Sequence, residues 1–82
     1  MSKPVEYYKQ KFGSNIEKAF VHLAKEMGEL AGAIEKNNKE VIVYDTTEIA
    51  GMLFYFADQF NFNLLENVEA VYTKKLEKLQ QK

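Results

Sequence analysis

The chain reads as an all-α protein, an antiparallel helical bundle that associates with further copies of itself. Three observations predict this. Apolar residues recur at helical spacing over long stretches. Helix-capping patterns punctuate those stretches. And 46% of the 82 residues are hydrophobic, with six Phe and five Tyr, which is more apolar material than so short a chain readily covers alone. By length this is one domain, residues 1–82.

The elements follow in order. Pro4 suits the first turn of a short opening helix near 4–12, and Gly13 suits its C-terminal end. Ser14-x-x-Glu17 forms a capping box for a second helix near 15–36. Its apolar stripe is Ile16, Phe20, Leu23, Met27, Leu30 and Ile34. Asn37-Asn38 is a turn signal. The following "EVIVY" is β-branched and reads as locally extended, without a pairing partner. Asp45-x-x-Glu48 is a second capping box, placing the third helix near 46–60. Ile49, Ala50, Met52, Leu53, Phe54, Phe56, Ala57 and Phe60 cover most of its circumference, as in a helix at the centre of a bundle. Glu48, Gly51, Tyr55, Asp58 and Gln59 leave a narrow polar strip. Asn63-x-x-Glu66 opens a fourth helix near 64–80, with its stripe at Leu65, Val68, Tyr72, Leu76 and Leu79.

Charge and composition exclude several functions. The net charge of −1 suits neither a nucleic-acid binder nor a protein of anionic membranes. No apolar run approaches a transmembrane length, and the N-terminus does not resemble a signal peptide, so the expected location is cytoplasmic. The chain has no cysteine, which removes thiolate metal sites and cysteine nucleophiles. It carries no Gly-rich phosphate loop and no dinucleotide fingerprint. Tyr7, Tyr8 and Phe12 read as covering the core or an oligomer seam, and Lys74, Lys75 and Lys78 as cations suited to a helix C-terminus.

The chemistry lies in the acids. Glu26 and Glu29 sit one turn apart beside the apolar stripe of the second helix, their Cβ atoms about 5–6 Å from each other. Glu48 starts the polar strip of the third. If the two helices pack antiparallel, three carboxylates meet beside the core, where like charges raise one another's pKa. A hard divalent cation resolves that repulsion, and oxygen ligands suit Mg²⁺, with Mn²⁺ as a second choice. The competing reading is a solvated acidic edge, with Glu48 serving its capping box. His22, one turn before Glu26, reads as an edge histidine rather than a ligand.

"LAKEMGELAGAIEKNN" followed by "TEIAGMLFYFADQFNFNLLENVEAVYTKKLEKL" resembles the MazG-type all-α nucleoside triphosphate pyrophosphohydrolases. That family's pattern is E-E-x-x-E, a spacer, then E-x-x-D on the next long helix. Lys25-Glu26-Met27-Gly28-Glu29 fits the first block, and Glu48-Ile49-Ala50-Gly51 the second, with eighteen residues between Glu29 and Glu48. The resemblance covers about residues 16–79. It departs from the pattern at Lys25 in place of the first Glu, at Gly51 in place of the Asp, and at Leu79 in place of an Asn. The resemblance implies a MazG-like dimer or tetramer in which Glu26, Glu29 and Glu48 bind Mg²⁺ and a nucleoside triphosphate is hydrolysed to monophosphate and pyrophosphate. With Gly51 at a ligand position, a catalytically inactive binding or structural module of the same fold stays open beside the enzyme. Gly51 itself has a rival explanation, the close approach of a neighbouring helix.

Overall fold

The computed structural model describes residues 2–81, and these form helices joined by short turns. Helix α1 spans Lys3–Phe12, α2 Ile16–Glu35, α3 Lys39–Gln59 and α4 Leu64–Gln80. α1 carries Pro4 in its first turn and ends at Gly13, whose φ of 59° is left-handed and whose N–H donates to the Lys9 carbonyl. The cap of α2 is Asn15 rather than Ser14: its side chain accepts from the Lys18 N–H. α4 begins as expected, with Asn63 accepting from the Glu66 N–H. Two further turns use asparagine where glycine is commoner. Asn37 and Asn61 take left-handed φ values of 56° and 58°. In each turn the next residue's N–H reaches back to close a Schellman-type end, Asn38 to Ala33 and Phe62 to Ala57.

The largest departure from expectation is the start of α3. "EVIVY" is helical, not extended, and α3 begins at Lys39 instead of near residue 46. Asn38 is the cap, accepting from the Val41 N–H, so Asp45 is a mid-helix residue and caps nothing. β-branched residues lose only tenths of a kcal/mol in helix propensity. Here a good cap and the packing of α3 against α2 outweigh that loss, with Ile42 half-buried and Asp45 buried.

α3 lies at the centre, touching each of the other helices, most extensively α2 and then α1. The core is Tyr8 and Phe12 from α1, Ala19 and Leu23 from α2, and Met52 and Tyr55 from α3. Ile16, Ile49 and Phe56 pack against it. Tyr55, read from sequence as part of a polar strip, is fully buried, and its hydroxyl donates to the Gly13 carbonyl at 2.7 Å. That bond fixes the α1–α2 turn onto the central helix and satisfies a buried hydroxyl. Of the expected aromatic cover, Tyr8 and Phe12 are buried and Tyr7 is exposed. The stripes of α2 and α4 are only partly covered. Leu23 is buried, but Phe20, Met27 and Ile34 face solvent, and α4 buries no residue at all. α4 meets only α3. The folded unit is thus α1–α3, with α4 projecting from its end. No helix among the described residues is long and apolar enough to cross a membrane.

Candidate functional site

Antiparallel packing of α2 on α3 sets the face bearing Glu26 and Glu29 against the face bearing Glu48. Between the two helices, next to the turn that joins them, lies an open cleft of about 590 Å³. Its walls include Glu29 and Lys36 from α2 and its C-terminal end, and Tyr44, Asp45 and Glu48 from α3. Gly32 and Ala33 also line it, so small residues on α2 leave the space open.

Glu26 lies one turn before Glu29 and only 4% exposed. Its Oε1 is buried without a hydrogen-bond partner, and its Oε2 is 3.7 Å from Nε2 of His22. Burial pushes the Glu26 pKa up to about 7, aided by the negative charge of Glu48, by a hydrogen bond with Glu48 and by Glu29, while Lys11 opposes the rise. With both carboxylates ionised, Oε1 has no donor. Protonation of Glu26, the form that burial favours, removes the unpaired charge. The same pair acts on Tyr8, whose hydroxyl is raised to about 12, first by burial and then by the charges of Glu26 and Glu48. His22 is lowered from its ordinary value, chiefly by burial and then by Lys11 and Lys25. Its ring packs against Phe12, as an edge histidine does.

The structure therefore brings the three sequence-predicted residues to one seam: Glu26 against Glu48, and Glu29 with Glu48 on the cleft wall. As the side chains stand, no three His, Asp or Glu groups among the described residues converge tightly enough to hold one ion. The donor chemistry still fits a hard cation: carboxylate oxygens throughout, one of them buried and unpartnered. Glu29 is exposed and free to change rotamer.

No family model matches this chain, and no curated protein or solved structure shows significant similarity to it.

Gly51 is not an open vacancy. A Cβ built there would stand 3.2 Å from Cβ of Pro4 and 3.6 Å from Cε2 of Tyr8. The absent side chain lets α1 lie close on α3, the rival explanation that the sequence allowed. Asp58, on the same face as Gly51, pairs with Lys9 of α1 at 3.3 Å. Sequence reasoning passed over Asp45, which is 7% exposed and lines the cleft. Asp45 and Glu48 are one turn apart in the sequence, but the capping pattern they form hides their place in the interior of α3.

Proposed function

We propose that the chain is a divergent MazG-type nucleotide pyrophosphohydrolase. In this reading Glu26, Glu29 and Glu48 hold Mg²⁺, or Mn²⁺, at the α2–α3 seam, and the substrate is a nucleoside triphosphate. The observation that carries it is Glu26, a buried carboxylate with an unpartnered oxygen set against a second carboxylate. Such a pair has no structural benefit in a helical core, where apolar residues of similar volume pack at least as well.

A bound divalent ion supplies positive charge for the phosphates and Lewis acidity at the phosphorus attacked by water. The chain's own residues do the rest. Lys36 at the cleft rim offers a cation to the phosphates, and the exposed ring of Tyr44 offers a flat apolar face to a base. Glu26, raised to about 7 chiefly by burial, exchanges its proton near neutral pH, the range in which a general base works best. The active unit is a homo-oligomer in the cytoplasm, a dimer or tetramer.

A second reading, a catalytically inactive module of the same fold, is favoured by the contact of Pro4 and Tyr8 with Gly51. It places helix packing where a ligand would stand. Pyrophosphate release from a panel of NTPs and dNTPs, with and without Mg²⁺, separates the two. The enzyme reading expects Mg²⁺-dependent release that Glu48→Gln abolishes while its melting curve stays cooperative. No release from any substrate by the folded protein establishes the inactive module instead.

A further inference from the structure

We infer that α2 carries a second, outward apolar face that receives α4 of another copy of this chain, so that two copies exchange their last helices. The inference concerns assembly alone and holds whether or not the chain hydrolyses a nucleotide.

α2 is apolar on two sides. Its buried residues, among them Ala19, Leu23 and Ala33, define the side that packs on the core. Phe20, Ala24, Met27, Ala31 and Ile34 form a second line, about 100° round the helix from the first. Their alternating spacing of four and three residues is that of a coiled-coil seam. All five are exposed, Phe20, Met27 and Ile34 by 61%, 55% and 58%. Gly28 lies at the edge of the line, and a Cβ built there would meet nothing within 4 Å. α4 does not cover this seam within its own chain, where it meets only α3.

Size, charge and area favour α4 of a second copy as the occupant. Ala24, Gly28 and Ala31 leave recesses between the larger residues of α2. α4 presents bulk at the matching spacing, in Leu65, Val68, Tyr72, Leu76 and Leu79, all exposed. From Phe20 to Ile34 and from Leu65 to Leu79 are fourteen residues each, about 21 Å along either axis. The charged residues bordering the α2 seam are Glu17 and Glu35, and Lys75 and Lys78 border one edge of the α4 seam. A second α2 in place of α4 would bring acids to acids. The chain exposes 6611 Å², roughly 1600 Å² more than a compact monomer of 9.5 kDa. A standard interface removes about 800 Å² from each partner. In a reciprocal exchange each copy buries two faces, its α2 seam and its α4, which accounts for an excess of that size.

The chain has no cysteine, so single introduced thiols report contacts directly. Met27→Cys and Tyr72→Cys place one thiol midway along each seam, at positions exposed in the single chain. The two variants are mixed in urea, refolded together and oxidised. The disulfide between them is expected at least tenfold above that between Tyr72→Cys and Lys25→Cys, which places its thiol on α2 away from the seam. Ala24→Lys combined with Ala31→Lys is expected to weaken association at least tenfold in sedimentation equilibrium. Its thermal melt should stay cooperative, because neither residue belongs to the core. Equal yields from the two cysteine pairs, or a Met27→Cys chain that cross-links only to its own kind, would overturn the inference. A folded lysine variant that associates like wild type would do the same, as would a monomeric wild type at tens of micromolar. A chain carrying both Met27→Cys and Tyr72→Cys that closes its disulfide internally and sediments as a monomer would also overturn it, since α4 would then cover its own α2.

Discussion

Glu26 gives the protein a stability that depends on pH in an unusual sense. Its carboxyl is raised from 4.5 to about 7 in the folded chain, so folding favours the protonated form. The stabilisation is complete below pH about 4.5, the unfolded value, and is lost as pH rises through about 7. A shift of that size corresponds to roughly 1–3 kcal/mol once relaxation of a buried site is allowed for. Urea midpoints should therefore fall between about pH 5 and about pH 8, and Glu26→Gln should flatten this change and raise the midpoint at the higher pH. A variant with the same pH slope as wild type would show that Glu26 is not the responsible group. Gly51 allows an equally direct experiment. Gly51→Asp replaces a poor helix residue with a slightly better one, a gain of a few tenths of a kcal/mol. Against this, its Cβ meets the rigid ring of Pro4 at 3.2 Å, and its carboxylate adds to the repulsion with Glu48. The net expectation is destabilisation by about 1–3 kcal/mol, equal with and without Mg²⁺. Recovery of wild-type stability on adding Mg²⁺ would mean that an acid at this position reaches an ion after all.

At the scale of elements, the sequence announced every helix boundary to within one residue except the start of α3. Gly13 and Asn37-Asn38 marked turns that form, and Asn63 marked a cap that forms. The start of α3 was hidden because local preference and tertiary packing disagree in residues 40–44. Branched side chains there favour an extended chain weakly, and packing on α2 favours the helix more strongly. Once that boundary is misplaced, Asp45 reads as a cap and not as a buried residue of the cleft wall, since its face is defined only by the helix it belongs to. The acids at 26, 29 and 48 were legible because each lies well inside a helix with clear periodicity. The burial of Tyr55 was not legible, because a tyrosine on a polar strip looks amphipathic until the Gly13 carbonyl is placed above it. That bond and the cap yield two expectations. Asn38→Ala should cost about 1 kcal/mol, a typical cap loss. Tyr55→Phe should cost about 1–2 kcal/mol, because it also strands the carbonyl of Gly13. Urea denaturation of both variants tests them, and a larger loss for Asn38→Ala than for Tyr55→Phe would invert the order of importance drawn here.

The whole molecule is more open than a compact single chain of its length. Its radius of gyration is 15.1 Å, against about 12 Å for a compact chain of this length. Its accessible surface is 6611 Å², against roughly 5000 Å² for a compact monomer of 9.5 kDa. The excess is about twice what a standard interface, at about 800 Å² per partner, removes from one subunit. Residues 49–60 are the most apolar helical stretch, but Met52, Tyr55 and Ala57 are already buried within the monomer, leaving Leu53 and Phe60 exposed. Most of the uncovered apolar surface is on α2, at Phe20, Met27 and Ile34, and on α4, at Leu65, Val68, Val71, Tyr72, Leu76 and Leu79. α4 is where a second copy is expected to pack, since a helix of 17 residues with no fully buried side chain is marginal in water. Its charges indicate how two copies would pair. Glu66 and Glu69 lie in the N-terminal half, and Lys74, Lys75 and Lys78 in the C-terminal half, so an antiparallel pair sets acids against lysines. Sedimentation equilibrium at tens of micromolar should accordingly return twice the chain mass or a higher multiple. Leu65→Lys combined with Leu76→Lys should return a monomer. That monomer should lose helical signal only from α4, while the aromatic circular dichroism of the Tyr8, Phe12 and Tyr55 cluster persists, because the double change touches no residue of that core. A wild-type monomer, or a double variant that still associates, would place the missing cover somewhere other than α4.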